Sequence, residues 1–378
     1  MSNSLPYIMK GMDVKELEPR SIEESELPTL IAFLNDSLRG AYNWSIDQEY
    51  PQVFNKTSLP YLRVIEKEGK ILSHAAWRPI IIKTEMGIFK VAVIGSVVTD
   101  SNYRKQGLSR KIMESILVEA RACGCEFSIL WSDKTDFYQQ FGFSLSGSEK
   151  TAIIDKKLMT TPSQLKILDT NQVSAESIHR LYQKHTVSSV RNALEVEKYL
   201  NIPNSKVYTA WQGNELKAYM VEGKGADFDS YIHEWAGDIP ALKILVNHIL
   251  QEQQRKIHWM IPAHSVNLLE TLKSEQIFVH EGYLGLIKIL NFHSIAAKIT
   301  RFAKGHLRFT DFYMEERDEK YYLGFGPRAL EFHQLEDLTM LVFGPQYPSE
   351  IPAIDTNMAK QLDLIFPIKM WIWGWDSI

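Results

Sequence analysis

The 378-residue sequence has only two cysteines, Cys123 and Cys125, and a single glycine separates them. Two cysteines are too few for a structural zinc site, and this spacing is too short for a comfortable disulfide. We interpret both as reduced, buried thiols, as is typical of a cytoplasmic protein. His74, His264 and His333 are isolated in the sequence, so no metal site is predicted.

The sequence also lacks any apolar run long enough to span a bilayer, and its start, MSNSLPYIMKGMDVKELEPR, contains no apolar signal core. The formal net charge is only −4, and no long run of one sign occurs. These absences argue against nucleic-acid binding, membrane insertion and a charged interaction tail. We expect a cytoplasmic protein without nucleic-acid or membrane partners, and its length is enough for two or three domains.

Turn residues and hydrophobic periodicity divide the chain into three regions. Residues 1–160 predict a helix, three strands ending with "FKVAVIGSVVT", an amphipathic helix, and a closing strand or hairpin over "FSLSGSEKTAIID". After the linker "TTPSQ", residues 161–295 repeat this order and end with one strand over "IFVHEGYLGLIKIL". Residues 296–378 predict a hairpin, a helix and a strongly aromatic end. The predicted fold class is α/β with mixed sheets: two similar domains and a small C-terminal α+β domain.

A basic loop with one glycine, "SNYRKQGLSRKIM", follows the third strand. A strand that ends in a loop opening a helix leaves backbone N–H groups free, and the helix dipole helps them attract an anion. Gly107 and the small Ser109 let phosphate oxygens approach the backbone, while Arg104 and Lys105 add positive charge. The loop lacks both the G-x-x-x-x-G-K-[ST] pattern of a nucleotide-triphosphate site and the three glycines of a dinucleotide fold.

The stretch "VVTDSNYRKQGLS" resembles the acetyl-coenzyme A pyrophosphate loop of the GNAT (general N-acetyltransferase) superfamily, whose pattern is Arg/Gln-x-x-Gly-x-Gly/Ala. Arg104, Gly107 and Ser109 fill those places, with serine standing for the usual glycine or alanine. A second stretch, "DFYQQFGF", resembles the superfamily's Tyr-x-x-x-Gly-Phe segment, with its tyrosine at Tyr138. One helix and one strand separate the two stretches, as the superfamily fold requires.

This resemblance implies that acetyl-coenzyme A (acetyl-CoA) binds as a co-substrate. The strand before the loop would splay from its neighbour, and its free backbone groups would pair with pantetheine. The amides of residues 106–109 would hold the pyrophosphate, with the cationic side chains beside them. The implied cofactor-binding residues are Val97, Val98, Thr99, Arg104, Lys105, Gln106, Gly107, Leu108 and Ser109.

The whole chain also resembles a narrower group, the enhanced-intracellular-survival (Eis-like) acetyltransferases. The segments that carry this resemblance are "LWSDKTDFYQQFGF", "LEDLTMLVFG" and "LIFPIKMWIWGWDSI". It implies an active, acetyl-CoA-binding GNAT domain in residues 1–160, a degenerate GNAT-like domain in residues 161–295, and a C-terminal domain with an aromatic tail in residues 296–378. The third region is shorter here than is usual for the group, and its tail runs further past Pro367.

Two catalytic residues follow from the resemblance. Tyr138 lies where a tyrosine acts as the general acid that protonates the leaving thiolate, although a tyrosine at a helix end can also be an ordinary core residue. In the Eis-like group the C-terminal carboxylate deprotonates the amine, and here it would belong to Ile378. The alternative is that Trp371, Trp373 and Trp375 pack only the third domain and leave Ile378 free.

The predicted function is transfer of an acetyl group to a primary amine of a small molecule or peptide. Transfer would be direct, in a ternary complex, because neither cysteine lies near a base that could make it a covalent carrier. Two alternatives stay open: a non-catalytic sensor or scaffold that binds acyl-CoA, and an enzyme that uses a longer acyl donor. A homo-oligomer is compatible with the sequence.

The acceptor itself is not specified by the sequence. Tyr42, Trp44 and Trp77 are candidates for aromatic walls of its pocket, although Trp77 can also be an ordinary core residue of its strand. Glu234 and Asp238 could attract a cationic acceptor, or they could be a solvated turn and a helix cap.

Overall fold

Strands and helices follow one another along residues 16–161 and 163–378, which the computed structural model describes. The elements before residue 160 are β1 (Arg20–Ser21), α1 (Leu27–Leu38), α2 (Ile46–Glu49), β2 (Leu62–Lys67), β3 (Lys70–Thr84), β4 (Gly87–Thr99), α3 (Leu108–Ala122), β5 (Phe127–Leu130), α4 (Thr135–Gln139), β6 (Ser144–Ser146) and β7 (Glu149–Ile154).

The second part of the chain continues with strands and helices in a similar order. Its elements are β8 (Lys166–Asp169), α5 (Ala175–Tyr182), β9 (Ser188–Ser189), α6 (Ala193–Tyr199), β10 (Lys206–Gln212), β11 (Glu215–Lys224), β12 (Asp227–Gly237), α7 (Ile239–Gln253), β13 (Ile257–Pro262), α8 (Val266–Ser274), β14 (Phe278–Gly282) and β15 (Gly285–Ile289). The last part contains α9 (Phe292–Gly305), β16 (Phe312–Arg317), β17 (Lys320–Phe325), β18 (Arg328–Phe332), α10 (Leu335–Phe343) and α11 (Thr356–Leu362).

Helices cover both faces of the first sheet because its strands alternate apolar residues on the two sides. On β2 and β3, Ile65 and Leu72 belong to the core under α3, whereas their neighbours Val64 and Ile71 belong to the core under α1. The helix α3 buries the stripe that its i, i+4 spacing predicts, including Ile112 and Ile116, and leaves Leu117 half-buried. Packing on both faces fixes the position of β4 between the helices, and β4 carries the candidate site.

Strand pairing crosses the predicted domain boundaries. The first sheet has the order β1-β2-β3-β4-β5-β15-β6, and the second has the order β14-β7-β13-β12-β11-β10-β8. Thus β7 leaves the first region to pair with β13 and β14, and β15 returns from the second region to lie between β5 and β6. Each sheet therefore needs strands from both halves of the chain, which ties the two halves together.

Two local strand predictions are wrong for the same reason. "FSLSGSEKTAIID" is not a hairpin, because β6 and β7 join different sheets, and "IFVHEGYLGLIKIL" is two strands, β14 and β15. The chain crosses between the sheets at Gly147 and at Leu284, and the two crossings touch. A Cβ atom on Gly147, whose φ is 76°, would overlap the Leu284 side chain, so only glycine fits there.

The third region contains the predicted hairpin, which gains a further strand to make the sheet β16-β17-β18. The predicted helix is α10, and Gly344 follows it as expected. The predicted boundary at residues 295–296 falls inside α9, which packs against β16. Residues 1–15 and Pro162 of the predicted linker lie outside the described residues.

The aromatic end of the chain runs between the domains and is buried along most of its length. Trp371, Trp373 and Trp375 are at most 1% exposed. The Trp373 ring lies 5.3 Å from that of Trp235 in the second sheet, and the Trp375 ring stacks 6.3 Å from that of Tyr219. Trp373 and Trp375 therefore do more than pack the third region, because they fix the tail against the second sheet.

Both cysteines are free thiols, as predicted. Cys125 is buried and Cys123 is half-buried. Burial raises the pKa of the Cys125 thiol to about 12, which makes it a poor nucleophile at neutral pH.

Acidification is expected to destabilise the fold through buried neutral histidines. Burial lowers the pKa of His74 and of His233 to about 3, and that of His185 to about 4. Below pH ~6.5 the unfolded chain takes up protons that the folded chain does not, so the free energy of unfolding falls as pH falls. The slope should approach about 1.4 kcal/mol per pH unit for each such histidine. Chemical denaturation between pH 7.5 and about 4.5 measures it.

The matched variants are His74→Leu, which removes one of these groups, and His293→Gln, which removes an exposed histidine. We expect the free energy of unfolding to fall less steeply with acidification in His74→Leu than in the wild type, and equally steeply in His293→Gln. Equal slopes in all three proteins would contradict the assignment of His74 as a buried histidine that stays neutral in the folded chain.

Candidate active site

The strand β4 separates from its parallel neighbour β5 partway along its length, as the resemblance implies. Pairing of the two strands covers only residues 91–93 of β4, although β4 continues to Thr99. A bulge lies just beyond: Ala76 pairs with Gly95 and His74 with Val98, so two β4 residues oppose Ala75. Such bulges bend a strand, and Ser96 takes a φ of 52°. The bend leaves the β5-facing edge of β4 open to a ligand.

The basic loop closes one end of this opening. After a 3₁₀ turn at Ser101–Tyr103, Gly107 adopts a φ of 85° and the helix α3 starts at Leu108. The first helical amides have no carbonyl one turn earlier to bind, so they face outward. Space above Gly107 is open, because a Cβ atom there would meet nothing within 4 Å. The loop is thus a cradle of N–H groups that a phosphate could occupy.

A cleft of about 590 Å³ extends from this loop along β4 to α4. Six predicted site residues line it together: Val97, Val98, Thr99, Arg104, Ser109 and Tyr138. The hydroxyl groups of Thr99 and Ser109 lie 2.7 Å apart, which ties the end of β4 to the start of α3. The Arg104 Nε donates to the Thr99 carbonyl at 3.3 Å, so its side chain is held at the cleft. The donor set and the open strand edge fit a coenzyme A molecule.

Tyr138 lies on α4 at the far end of the cleft and is only 6% exposed. The rings of Phe137 and Phe143 pack around it, with centroids 5.0 Å and 6.1 Å away. Burial raises the pKa of the phenol above its ordinary value, and a hydrogen bond with Ser132 opposes this effect in part. The phenol is therefore protonated at neutral pH and can donate a proton into the cleft.

The other predicted loop residues lie outside the cleft lining. The side chains of Lys105 and Gln106 are exposed, as is Gly107. Leu108 is 2% exposed and its side chain belongs to the core, so only its backbone amide is available to a ligand.

Ile378, the last residue of the sequence, reaches the first sheet. Its main-chain carboxyl group lies against Gly95 of β4, where a Cβ atom would overlap it. Its side chain is half-buried and packs with the cores on either side of it. Gly95 is two residues before Val97, so the carboxyl group lies beside the strand that lines the cleft.

Of the predicted acceptor walls, Tyr42 and Trp44 form a pair with ring centroids 5.0 Å apart, and Tyr42 is 44% exposed. Trp77 is 3% exposed and packs edge-on against Tyr61, so it is a core residue and cannot line a pocket. Asp238 occupies the N-cap position of α7, as predicted, but its side chain makes no capping hydrogen bond.

Glu234 is not in a solvated turn. It lies on β12 with no exposed surface, its carboxylate is 2.5 Å from Arg191 Nη2, and it accepts from the Tyr219 hydroxyl at 3.0 Å. No local sequence pattern indicates this pair, because Arg191 is 43 residues away from Glu234.

Sequence reasoning also missed three residues that hold the chain end near the site: Gly95, Gln52 and Lys224. Gln52 Nε2 donates to the carbonyls of Trp375 and Ser377 at 3.2 and 3.4 Å. Lys224 stands in the polar stretch "EGKGADFD", which reads as an ordinary solvated turn. Only the fold shows that its side chain is buried.

Within the described residues, no group of three or more histidine, cysteine or acidic side chains could hold a metal ion. No helix in the same part of the chain combines the length and hydropathy needed to cross a bilayer.

Replacing Arg104 by glutamine is expected to weaken coenzyme A binding about 10-fold, since one charge-assisted contact to a phosphate would be lost. Because Arg104 is exposed, salt should screen its contribution, so the affinity of the variant should depend less on ionic strength than that of the wild type. Isothermal titration at two salt concentrations measures both effects. Arg317→Gln, in the third sheet, is the matched control and should bind normally. Equal affinities in all three proteins would remove Arg104 from the site.

Comparison with known proteins identifies a family for part of the chain. Residues 18–146 match the family model described as an acetyltransferase (GNAT) domain. No curated protein sequence matches the chain.

Among solved structures, similar ones include a GCN5-related N-acetyltransferase from Anabaena variabilis ATCC 29413 (TM-score 0.66, 13% identity, 96% of this chain and 100% of that one). Others are a probable N-acyltransferase from Enterococcus faecalis V583 (TM-score 0.65, 14% identity, 96% and 99%) and Eis1 from Mycobacterium abscessus (TM-score 0.63, 12% identity, 96% and 100%). At these identities the likeness establishes a shared fold over nearly the whole chain.

Proposed function

We propose that this chain is a GNAT acyltransferase of the tandem, Eis-like type and that it transfers an acetyl group from acetyl-CoA to a primary amine. The observation that carries the proposal is the cleft itself. One continuous space joins Arg104 and Ser109 at the edge of the amide cradle, the open edge of β4 and the phenol of Tyr138. A pyrophosphate at the cradle and a pantetheine arm along β4 would lead the thioester toward Tyr138.

Each group of site residues would have one role in the reaction. The amides of residues 106–109 and the Arg104 side chain bind the diphosphate, and the backbone of Val97, Val98 and Thr99 orients the arm. Tyr138 donates its phenolic proton to the departing sulfur. Acetyl-CoA supplies the activated acetyl group.

The acceptor must give up a proton to become a nucleophile, so the reaction also needs a base. In a chain that ends at Ile378, we assign this task to the terminal carboxyl group. Its place against Gly95, beside the cleft, suits this task. Attack would be direct in a ternary complex, since the buried Cys125 thiol is a poor nucleophile and no cysteine lines the cleft in the described residues.

The partner is a small molecule or a peptide with a free amine, entering past α1, which contributes Ser37 and Leu38 to the cleft. The free thiols agree with the predicted cytoplasmic location. Whether the donor is acetyl-CoA or a longer acyl-CoA depends on the space near Tyr138, so the donor is varied in the test below.

The test is release of free thiol from acetyl-CoA across a panel of primary amines, run beside a titration of acetyl-CoA binding. We expect binding without amine and thiol release that depends on both substrates, with the acetylated amine found by mass spectrometry. Propionyl- and octanoyl-CoA are run in parallel. Faster transfer from a longer donor would overturn the acetyl assignment, and binding without turnover on any amine or donor would overturn the proposed reaction.

A further inference from the structure

Lys224, at the end of β11 in the second sheet, has a fully buried side chain that the proposed reaction has not used. Its Nζ donates to the carbonyl of Gly374 at 2.8 Å, to the carbonyl of Ser377 at 2.7 Å and to the Ser377 hydroxyl at 3.1 Å. An ammonium group has three N–H donors. All three can therefore bind the last five residues of the sequence.

The surroundings of Lys224 make this arrangement costly. The hydrogen-bond partners of Nζ are neutral carbonyl and hydroxyl groups, and the ring of Tyr50 covers it at 4.7 Å. Burial lowers the pKa of Lys224 to about 7, an effect that Asp227 and Asp376 oppose. A buried charge without an ion partner usually lowers stability, and an apolar residue of similar size would fill this space more favourably. Stability alone does not account for a lysine here.

Lys224 contacts the residue that immediately precedes the chain end. Ser377 is bonded directly to Ile378, whose carboxyl group lies against Gly95 on the first sheet. Gln52, from the first domain, binds the Ser377 carbonyl from another direction. One peptide group is thus held by side chains from two domains, and the next group along the chain is the proposed base.

We propose that Lys224 is a positioning residue: its ammonium group fixes the Ser377 peptide so that the Ile378 carboxyl group stays against Gly95, beside the cleft. The second domain, which has no glycine-rich coenzyme loop of its own, would then contribute to the reaction through this one side chain. The inference rests on the proposed function, in which that carboxyl group is the base.

The tail has a second anchor, Asp376, whose contacts differ from those of Lys224. The Asp376 carboxylate accepts from the Ser189 hydroxyl at 2.6 Å and from the Tyr182 hydroxyl at 3.3 Å. Those contacts hold a side chain that points into the second domain, whereas Lys224 holds the backbone next to Ile378. Loss of Lys224 should therefore free the chain end while the tryptophans upstream stay packed.

The experiment uses the full chain, ending at Ile378, with Lys224→Met. Misplacing a catalytic group by about 1 Å can cost ~10²-fold in rate, so we expect kcat to fall about 10²-fold, with KM for acetyl-CoA changed less than about twofold. The second readout does not depend on activity. Carboxypeptidase treatment followed by mass spectrometry should remove Ile378 from the variant while the wild-type chain end stays intact.

Lys298→Met is the control lysine: Lys298 donates to the backbone carbonyl of Ile88 and also pairs with Glu126, and it lies away from the tail. It should leave kcat and the chain end unchanged even if the melting temperature falls. Should Lys224→Met fail to fold, Lys224→Gln keeps a donor in the same space and should show a smaller change of the same kind.

The outcomes separate the two proposals. A freed chain end with normal kcat would uphold the positioning role and overturn Ile378 as the base. A protected chain end in both Lys224 variants, whatever their kcat, would overturn the positioning role and leave the proposed function standing.

Discussion

A chain extended by two residues beyond Ile378 is expected to bind acetyl-CoA normally and to turn over about 10²- to 10⁴-fold more slowly, the range that a general base contributes. Extension replaces the carboxylate by a neutral peptide carbonyl, which cannot take a proton from an amine at neutral pH. The added residues must also displace the chain end, because the carboxyl group lies directly against Gly95. Steady-state kinetics with a saturating amine and a binding titration measure the two effects separately.

The control is Ile378→Val, which alters the side chain and keeps the carboxylate in place. It should retain nearly full kcat, since only the main-chain group is assigned a chemical role. Gly95→Ala tests the same contact from the side of β4, because the added methyl group would overlap the carboxyl group and displace it. If the extended chain keeps wild-type turnover with every amine tested, the terminal carboxylate is not the base.

Replacing Tyr138 by phenylalanine is expected to lower kcat about 10²- to 10⁴-fold with little change in acetyl-CoA affinity. The variant removes one oxygen from a buried ring that stays packed between Phe137 and Phe143, so the fold and the cradle at α3 should persist. The loss should be in the chemical step, because the leaving thiolate would no longer receive a proton from the protein.

Pre-steady-state thiol release and the melting temperature distinguish this effect from damage to the fold. Tyr61→Phe is the matched control: Tyr61 lies in the same domain and packs on Trp77, but it does not line the cleft. Normal thiol release by Tyr138→Phe, with coenzyme binding intact, would show that Tyr138 is a packing residue.

The sequence predicted well those features that depend on neighbours along the chain. The amphipathic stripe of α3, the glycine at its start and the helix α10 ending at Gly344 all follow from local spacing and backbone preference. The cleft gathers six of the predicted residues, from Val97 to Tyr138, because the motif places a loop, a strand end and a helix in a fixed order.

The prediction failed where partners are distant in sequence. The stretch from β6 to β7 has the pattern of a hairpin, and only pairing with β15, β13 and β14 shows that its strands belong to different sheets. The sequence predicted Glu234 to be a surface carboxylate, because its ion-pair partner Arg191 is distant along the chain. For Trp77 the sequence left a pocket wall and a core residue as alternatives, and its burial in the fold decides for the core.

The sequence by itself determined the elements of the amide cradle at the start of α3: a strand, a left-handed glycine and a helix start are properties of short segments with their own backbone preferences. Only the tertiary structure decided what surrounds that cradle. It brought the chain end across the domains to Gly95, and it buried Lys224 so that its ammonium group meets the Ser377 carbonyl. Such contacts join residues more than 100 positions apart, and they form because burial of the aromatic tail stabilises one path through the molecule.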